Sequence, residues 1–289
     1  MRDFVFHAPA TLPEALSLLA EHRDDGRPIA GGTALVVLMK QSLVDADHLI
    51  SLHRIPGLDS IRNEADGLHI GGLTKHRDVE QSPLVQGAAP LLADVYRHVA
   101  TVRIRNVATV GGGLAHADPA MDAPAVWRVL GATMHLRSAS GTRQVAADDF
   151  FEDFYTTALA PEEVLTAVTA PALPAGAGWS YQKFLPRSAD DYAAVSVSAL
   201  LCLDGDGRVA RARVGIGSAA PIPVLAEAVG AALVGQQPTP QAIADAAELA
   251  RDAVDPLDDL RGSAVYKRDM TVVFTRRALT EAAARARRA

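Results

Sequence analysis

Cysteine is almost missing from this chain: Cys202 is the single one in 289 residues. That excludes a disulfide framework, and it excludes an iron–sulfur cluster held by this chain alone, since a cluster commonly takes four thiolates. Its place in the apolar run from Val195 to Leu203 makes it a buried structural thiol rather than a nucleophile. Basic charge is also short. Lys and Arg number 28 against 34 Asp and Glu, a formal net charge of −6, whereas nucleic acid or an anionic membrane surface would favour a basic face. No run of eighteen apolar residues is present to span a bilayer. The first seven residues include Arg2 and Asp3 and lead into no long apolar stretch, so no targeting segment is read and the cytoplasm is the expected compartment. Aromatic residues make up 5% of the chain, and their cluster at Phe150-Phe151 and Phe154-Tyr155 reads as core. His116 and Asp118 have no further ligand spaced to close a coordination shell, so no metal site is read. The sequence also offers no activated nucleophile or acid–base pair of the kind hydrolysis needs.

What the chain does have is apolar residues, 49%, enough to bury a core in each of two domains. It also has paired glycines. Ala30-Gly31-Gly32-Thr33 follows the short apolar run Pro28-Ile29-Ala30 and leads into Leu35-Val36-Val37-Leu38-Met39. About eighty residues later comes Thr109-Val110-Gly111-Gly112-Gly113-Leu114, with an acidic patch ending at Asp122. Both read as glycine turns of one design. Without a Cβ, backbone N–H groups can curl into a concave nest around an anion, and Thr33 and Thr109 each add a hydroxyl beside a glycine pair. A pyrophosphate suits two such turns. The Walker pattern is excluded, because Gly32-Thr33 stands where Lys then Ser or Thr is required after Gly26 and Gly31. The Rossmann pattern fails as well, since Gly111 and Gly113 are followed by His116 where the third glycine belongs.

The segments from Pro28 to Thr33 and from Ile104 to Gly112 (Ile-Arg-Asn-Val-Ala-Thr-Val-Gly-Gly) resemble the two FAD-binding segments of the flavoprotein (medium) subunit of molybdenum hydroxylases. These are the relatives of xanthine dehydrogenase and aerobic carbon monoxide dehydrogenase, and the resemblance continues from about Trp179 into that family's C-terminal flavoprotein domain. It implies an α+β protein: a two-lobed FAD-binding domain of the PCMH type over 1–172, with lobes of about 1–56 and 57–172, then an antiparallel sheet plus helices over 178–289. It also implies an electron-transfer role. A large molybdopterin subunit oxidises the substrate, a small subunit with [2Fe-2S] clusters relays the electrons, and FAD on this chain passes them to an external acceptor, in a dimer of heterotrimers.

By resemblance the FAD contacts fall on Ile29, Ala30, Gly31, Gly32, Thr33, Ala34, Leu35, Val99, Ile104, Thr109, Val110, Gly111, Gly112 and Gly113, and further on at Asp122, Leu165, Lys183 and Tyr192. Ala34 and Gly113 depart from the family, which usually has Asp or a similar polar residue and Asn there. Asp122 would offer a carboxylate to ribityl hydroxyls or a flavin N–H, and it also suits the N-terminus of a helix from Ala123 to Leu130. Leu165 would give a main-chain contact, Lys183 would counter charge on the reduced flavin, and Tyr192 would shield the ring. A competing class is a self-contained FAD oxidoreductase turning over its own small substrate, and another is a non-catalytic nucleotide-binding scaffold that would carry no flavin.

The remaining elements follow from periodicity and turn chemistry. Thr11 and Glu14 have the spacing of a capping box, opening a helix with Leu12, Ala15, Leu16 and Leu19 on one face. Strands are expected at Phe4–Phe6, Pro28–Ala30, His48–Leu52 and Leu68–Ile70, and helices through Val79, with Thr74 as its N-cap, and over Pro90–Val99. Gly71-Gly72 is a third glycine turn with a structural role. Arg103 and Arg105 alternate around Ile104, so both are expected to point to one side and to bond carbonyls or water, with charge support for the diphosphate as the alternative. A hairpin is read through Ser140-Gly141, a strand at Val164–Val168, and a boundary at Pro171–Gly178. Beyond it come the strand Trp179–Leu185, a polar loop Arg187–Tyr192, and a meander of Ala193–Leu203 and Arg208–Ile216. Helices are expected at Pro223–Leu233, Pro240–Val254 and Asp269–Ala289, the last with a solvated or acid-docking face at arginines 276, 277, 285, 287 and 288.

Overall fold

The capping box at Thr11 sets the first lobe. In the computed structural model, which describes residues 2–186, 188 and 192–288, Thr11 Oγ1 accepts from the Glu14 amide at 3.3 Å while the Glu14 carboxylate accepts from the Ala10 amide at 2.9 Å. Helix α1 (Leu12–Glu21) thereby starts where the pattern places it, and its Leu12, Ala15, Leu16 and Leu19 are buried against Ile50 and Leu52. Each buried leucine contributes roughly 1.5–3 kcal/mol. Strands β1 (Val5–His7), β2 (Gly26–Ile29) and β3 (His48–Ser51) form a parallel sheet in the order β1-β3-β2, and the short helix α2 (Leu35–Lys40) lies between β2 and β3 in sequence.

The second lobe is an antiparallel sheet of five strands, ordered β4-β5-β10-β6-β7. They are β4 (Ile61–Glu64), β5 (Gly67–Gly71), β6 (Thr133–Ser138), β7 (Gly141–Ala146) and β10 (Val164–Ala170), with the small ribbon β8 (Phe151–Asp153) and β9 (Thr156–Thr157) leading into β10. Six helices come between β5 and β6: α3 (His76–Gln81), α4 (Pro83–Ala88), α5 (Pro90–Arg97), α6 (Val102–Arg105), α7 (Val110–His116) and α8 (Ala123–Leu130); a turn, α9 (Ala147–Phe150), follows β7. They bury Leu91, Leu92, Tyr96 and Trp127 against Leu68, Ile70 and Met134. The Trp127 indole N–H donates to the Tyr96 hydroxyl at 3.2 Å, so neither polar group is stranded in this core.

After the Pro- and Gly-rich stretch 171–177, β11 (Gly178–Phe184), β12 (Val195–Leu203), β13 (Val209–Gly217) and β14 (Val224–Leu225) form an antiparallel meander. Strand β12 is buried along nearly its whole length because α8 covers one face of the sheet. The other face is covered by α12 (Ala264–Ala286), with α10 (Glu227–Leu233) and α11 (Pro240–Glu248) alongside. A core residue of the second lobe's cluster, Leu200, thus belongs to the meander. Cys202 is buried, and no described helix is long and apolar enough to cross a membrane.

Several local expectations are corrected. Thr109–Leu114 is not a turn but the capped start of α7, and the arginines at 103 and 105 sit on the helical turn α6, where alternation does not put them on one side. Arg105 is half-buried, bonding Glu80 and the carbonyls of Val99 and Ala100, while Arg103 is exposed. Thr74 does not cap α3. Lys75 holds that position, because Thr74 is committed to a backbone bond from Val110, and its buried hydroxyl has no partner. Strand β4 and helix α4 carry too little periodicity to be read, while the expected helix Pro223–Leu233 is corrected to the short strand β14 followed by α10 from Glu227, and the expected Pro240–Val254 helix ends at Glu248 in a single 3₁₀ turn. Phe150 and Phe151 are buried as expected, but Phe154 and Tyr155 are exposed. Helix α12 starts at Ala264, where Ser263 Oγ accepts from the Tyr266 amide, five residues before the expected start. Its arginines are not a uniformly solvated face: Arg285 stacks on Trp179 at 3.7 Å and Arg287 bonds the Pro238 carbonyl. In the expected polar loop 187–192, Arg187, Ala189, Asp190 and Asp191 lie outside the described residues, as does Ala289 at the chain's end.

Candidate functional site

Strand β2 delivers Ala30-Gly31-Gly32-Thr33 to the rim of the first lobe, and the Thr101-capped turn α6 delivers Val107-Ala108-Thr109 from the second. The two segments touch. A side-chain carbon built on Gly31 would stand 2.3 Å from the Val107 carbonyl oxygen, so only glycine lets these backbones pass. Gly32 has φ +69°, in the left-handed region. A carbon on Gly112 would lie 3.7 Å from the Ala30 Cβ. The space they border is a cavity of about 870 Å³ with mainly apolar walls.

The hydrogen-bond status of the two segments is opposite. Among the described residues, no acceptor is bonded by the N–H groups of Gly31, Gly32, Thr33, Ala34 or Leu35, five successive donors at the cavity. In the second segment every early amide of α7 is occupied. Val110 donates to Thr74 O at 2.9 Å, Gly111 to Gly72 O at 2.7 Å, Gly112 to Thr109 Oγ1 at 3.2 Å and Gly113 to Thr109 O at 2.9 Å. Amides without a protein acceptor are therefore found only in the first segment, against the expectation that both offer them. The second presents a wall without side chains and the Thr109 hydroxyl, whose own proton is still available to donate.

His76 braces this second wall. Its Nε2 meets the Thr109 carbonyl at 3.1 Å while its Nδ1 has no partner, and burial holds the imidazole down to about 4, so it is neutral at ordinary pH. Across the cavity, Asp122 is buried at the start of α8, accepting from the Lys183 ammonium at 2.8 Å and from the Tyr181 hydroxyl. Burial pushes the Asp122 carboxyl up, against the pull of the Lys183 charge. Lys183 also donates to the His98 carbonyl at 2.9 Å, so it acts on the cavity only through Asp122. At the mouth, the Tyr192 ring lies 5.3 Å from the Arg261 guanidinium, and burial together with the Asp118 charge pushes its hydroxyl up to about 12.

Of the residues singled out from the sequence, Ile29, Ala30, Gly31, Gly32, Thr33, Ala34, Leu35, Val99, Ile104, Thr109, Gly111, Gly112, Gly113, Asp122, Leu165 and Tyr192 line this one cavity. Val110 is packed in the core behind it and Lys183 stands behind Asp122. Residues not singled out include Gly72, His76, Met121, Tyr155 and Glu163. Gly72 carried a signal, as part of a third glycine pair; the others reach the cavity only through the fold.

Comparisons with known proteins identify the family to which this fold belongs. Residues 2–173 match the family model described as the FAD binding domain in molybdopterin dehydrogenase, and 179–282 match the carbon monoxide dehydrogenase flavoprotein C-terminal domain. The chain belongs to the flavoprotein family of the molybdopterin dehydrogenases. Within it, the chain is 36% identical to the carbon monoxide dehydrogenase medium chain of Afipia carboxidovorans, over 99% of this chain and 98% of that one. It is 32% identical to the glyceraldehyde dehydrogenase medium chain of Sulfolobus acidocaldarius, over 97% and 99%. Among solved structures of the family, the carbon monoxide dehydrogenase of Hydrogenophaga pseudoflava that lacks the Mo-pyranopterin moiety superimposes with a TM-score of 0.95 at 38% identity, covering 98% of each chain. Quinoline 2-oxidoreductase from Pseudomonas putida 86 does so at 0.93 and 35%, covering 99% of this chain and 98% of that one.

Proposed function

We propose that the cavity between the glycine segments binds FAD and that the chain is the electron-transferring flavoprotein subunit of a molybdenum hydroxylase. The observation that carries this is the run of five uncommitted amides from Gly31 to Leu35, facing a cavity whose opposite wall is the glycine face of α7. The residues present fit the cofactor: a diphosphate needs several donors at close range, and the absence of side chains on both walls supplies that approach. When bound, FAD supplies the electron acceptance and release, and the protein's part is to place it and tune it.

In this reading the amides of Gly31–Leu35 and the hydroxyls of Thr33 and Thr109 hold the diphosphate. Val99, Ile104 and the Leu165 main chain bound the apolar part of the cavity and exclude water. Asp122, kept in place by Tyr181 and Lys183, accepts a hydrogen bond from the cofactor, and Tyr192 covers the mouth. The names of its relatives as medium chains support a place in a multisubunit enzyme. Electrons would arrive from a small [2Fe-2S] subunit, drawn from substrate by a large molybdopterin subunit, and leave to an external acceptor, in a cytoplasmic dimer of heterotrimers.

Native purification tests this reading. Stoichiometric FAD and co-purifying subunits with molybdenum and iron are the expected result. A Gly32→Val/Gly112→Val double variant should lose the flavin while its apo chain stays folded, since the left-handed backbone at Gly32 costs about 1–2 kcal/mol and the contact added at Gly112 is with the Thr109 hydroxyl, 2.8 Å from the new Cβ. Full FAD occupancy in that variant would place the cofactor elsewhere.

A further inference from the structure

Away from the cavity, among the described residues, one group of three side chains has its ligand atoms gathered as a metal ion would require: His7 at the end of β1, His22 just past α1, and His48 at the start of β3. Their candidate nitrogens all lie within 4.8 Å of one another, and His7 Nε2 faces His48 Nδ1 at 2.9 Å. The His22 and His48 rings are stacked at 3.6 Å and 10°, with His7 at 5.4 and 5.2 Å. We propose that His7, His22 and His48 form a binding site for a divalent transition metal ion of the zinc type, which pins the sheet of the first lobe to the end of α1.

The geometry suits that ion. Nitrogens about 2.0–2.1 Å from a tetrahedral zinc are roughly 3.3 Å apart, a spacing bracketed by the distances here, and binding would require the stacked His22 and His48 rings to tilt apart so that their in-plane nitrogens converge. The backbones are already fixed: His22 donates to Leu18 O and its carbonyl accepts from Gly26, while His7 and His48 lie on the β1–β3 ladder. Apart from the His7–His48 bond, Glu21 stands 3.9 Å from His22 Nε2, largely exposed and within reach as a fourth ligand in place of water. Acidic residues outnumber basic ones nearby, with Asp24 and Asp25 after His22 and Asp47 before His48 against Arg23, while Asp45 is paired with Arg2 at 3.2 Å, a balance that favours a cation. Imidazole is a ligand that zinc, copper and nickel share.

The first lobe also has use for a clasp. Its buried clusters are small, one around Leu16, Leu19 and Ile50 and one of Met39, Ala46 and Leu49, and small cores are commonly reinforced by a metal. The three ligands come from β1, β3 and the residue after α1, so one ion ties these three elements together.

The test uses the full-length flavoprotein, stripped with a chelator and titrated with Co²⁺ as the spectroscopic probe. Expected are one equivalent of Co²⁺ per chain with the visible bands of a four-coordinate site, its displacement by Zn²⁺, and a rise in Tm with Zn²⁺. His22→Gln should weaken the affinity at least about tenfold and abolish the Tm rise with flavin content unchanged, whereas His69→Gln should change nothing. His48→Gln gives the same reading should the first variant fold poorly. Absence of stoichiometric Co²⁺ binding by the unaltered chain overturns the proposal, and so does binding that survives His22→Gln or is lost in His69→Gln.

Discussion

Ala30–Thr33 and Thr109–Gly113 meet across one cavity and share a vocabulary of glycine and threonine, yet the first ends a parallel strand and the second opens a helix. The first leaves its amides without acceptors and keeps one glycine at positive φ. The second spends its amides on Thr74, Gly72 and its own Thr109, and is stitched to the β5–α3 connection. One is a donor array held up by close packing; the other is a rigid wall held up by hydrogen bonds. Glycine thus serves two ends here, freeing N–H groups for a ligand in one segment and letting two backbones bond each other in the other.

Substitution at neighbouring glycines breaks the comparison most sharply. Gly31→Ala puts a carbon 2.3 Å from the Val107 carbonyl, a collision between backbones that cannot be relieved by a rotamer change. It should cost about 3 kcal/mol or more and release the flavin. Gly32→Ala meets nothing closer than Ile29 Cδ1 at 3.3 Å and adds only the left-handed strain of φ +69°, about 1 kcal/mol. Urea unfolding and the flavin-to-protein ratio separate the two, and equal losses would mean that the segments are not braced against each other.

The second segment has an acid-sensitive support that the first lacks. His76 is neutral in the fold and titrates near 4 there, against 6.5 for an unburied imidazole. The native state therefore binds fewer protons than the unfolded one between these values. Its contribution is complete above pH 6.5 and is lost as pH falls towards 4, up to about 3 kcal/mol. Unfolding measured at pH 7.5, 5.5 and 4.5 should show this slope, and His76→Gln should be less stable at pH 7.5 but flatter below 6.5. An unaltered slope in the variant would remove His76 from the account.

Much of the fold could be read where local chemistry repeats itself: the capping box and apolar face of α1, the β6–β7 hairpin at Ser140-Gly141, the β12–β13 meander. The strands β4 and β14 are short, and α6 is a single turn, so their pattern is too brief to outweigh alternatives. At the cavity, the glycine pairs could be noticed because each interrupts an apolar run and stands beside a threonine. Whether their amides are free could not, because the competing acceptors Gly72 O and Thr74 O lie more than thirty residues away in sequence. His7, His22 and His48 are likewise separated by up to 41 positions and meet only through the parallel register of β1 and β3.

The smallest effect sharpens the contrast at a single hydroxyl. Thr109 Oγ1 caps α7 by accepting from Gly112, and loss of such a cap typically costs about 1 kcal/mol. Thr109→Val keeps the shape and removes the oxygen, so it should lower stability by that amount, while the Gly112 amide loses its acceptor and turns into an available donor. Thr109→Ser should restore the cap. If the valine variant holds FAD as tightly as the unaltered chain, the hydroxyl works for the helix alone. If it binds FAD several-fold more weakly than the loss of stability can explain, the hydroxyl touches the diphosphate. Thr33, which caps no helix and stands among free amides, provides the control: Thr33→Val should weaken FAD binding without moving the unfolding midpoint of the apo chain.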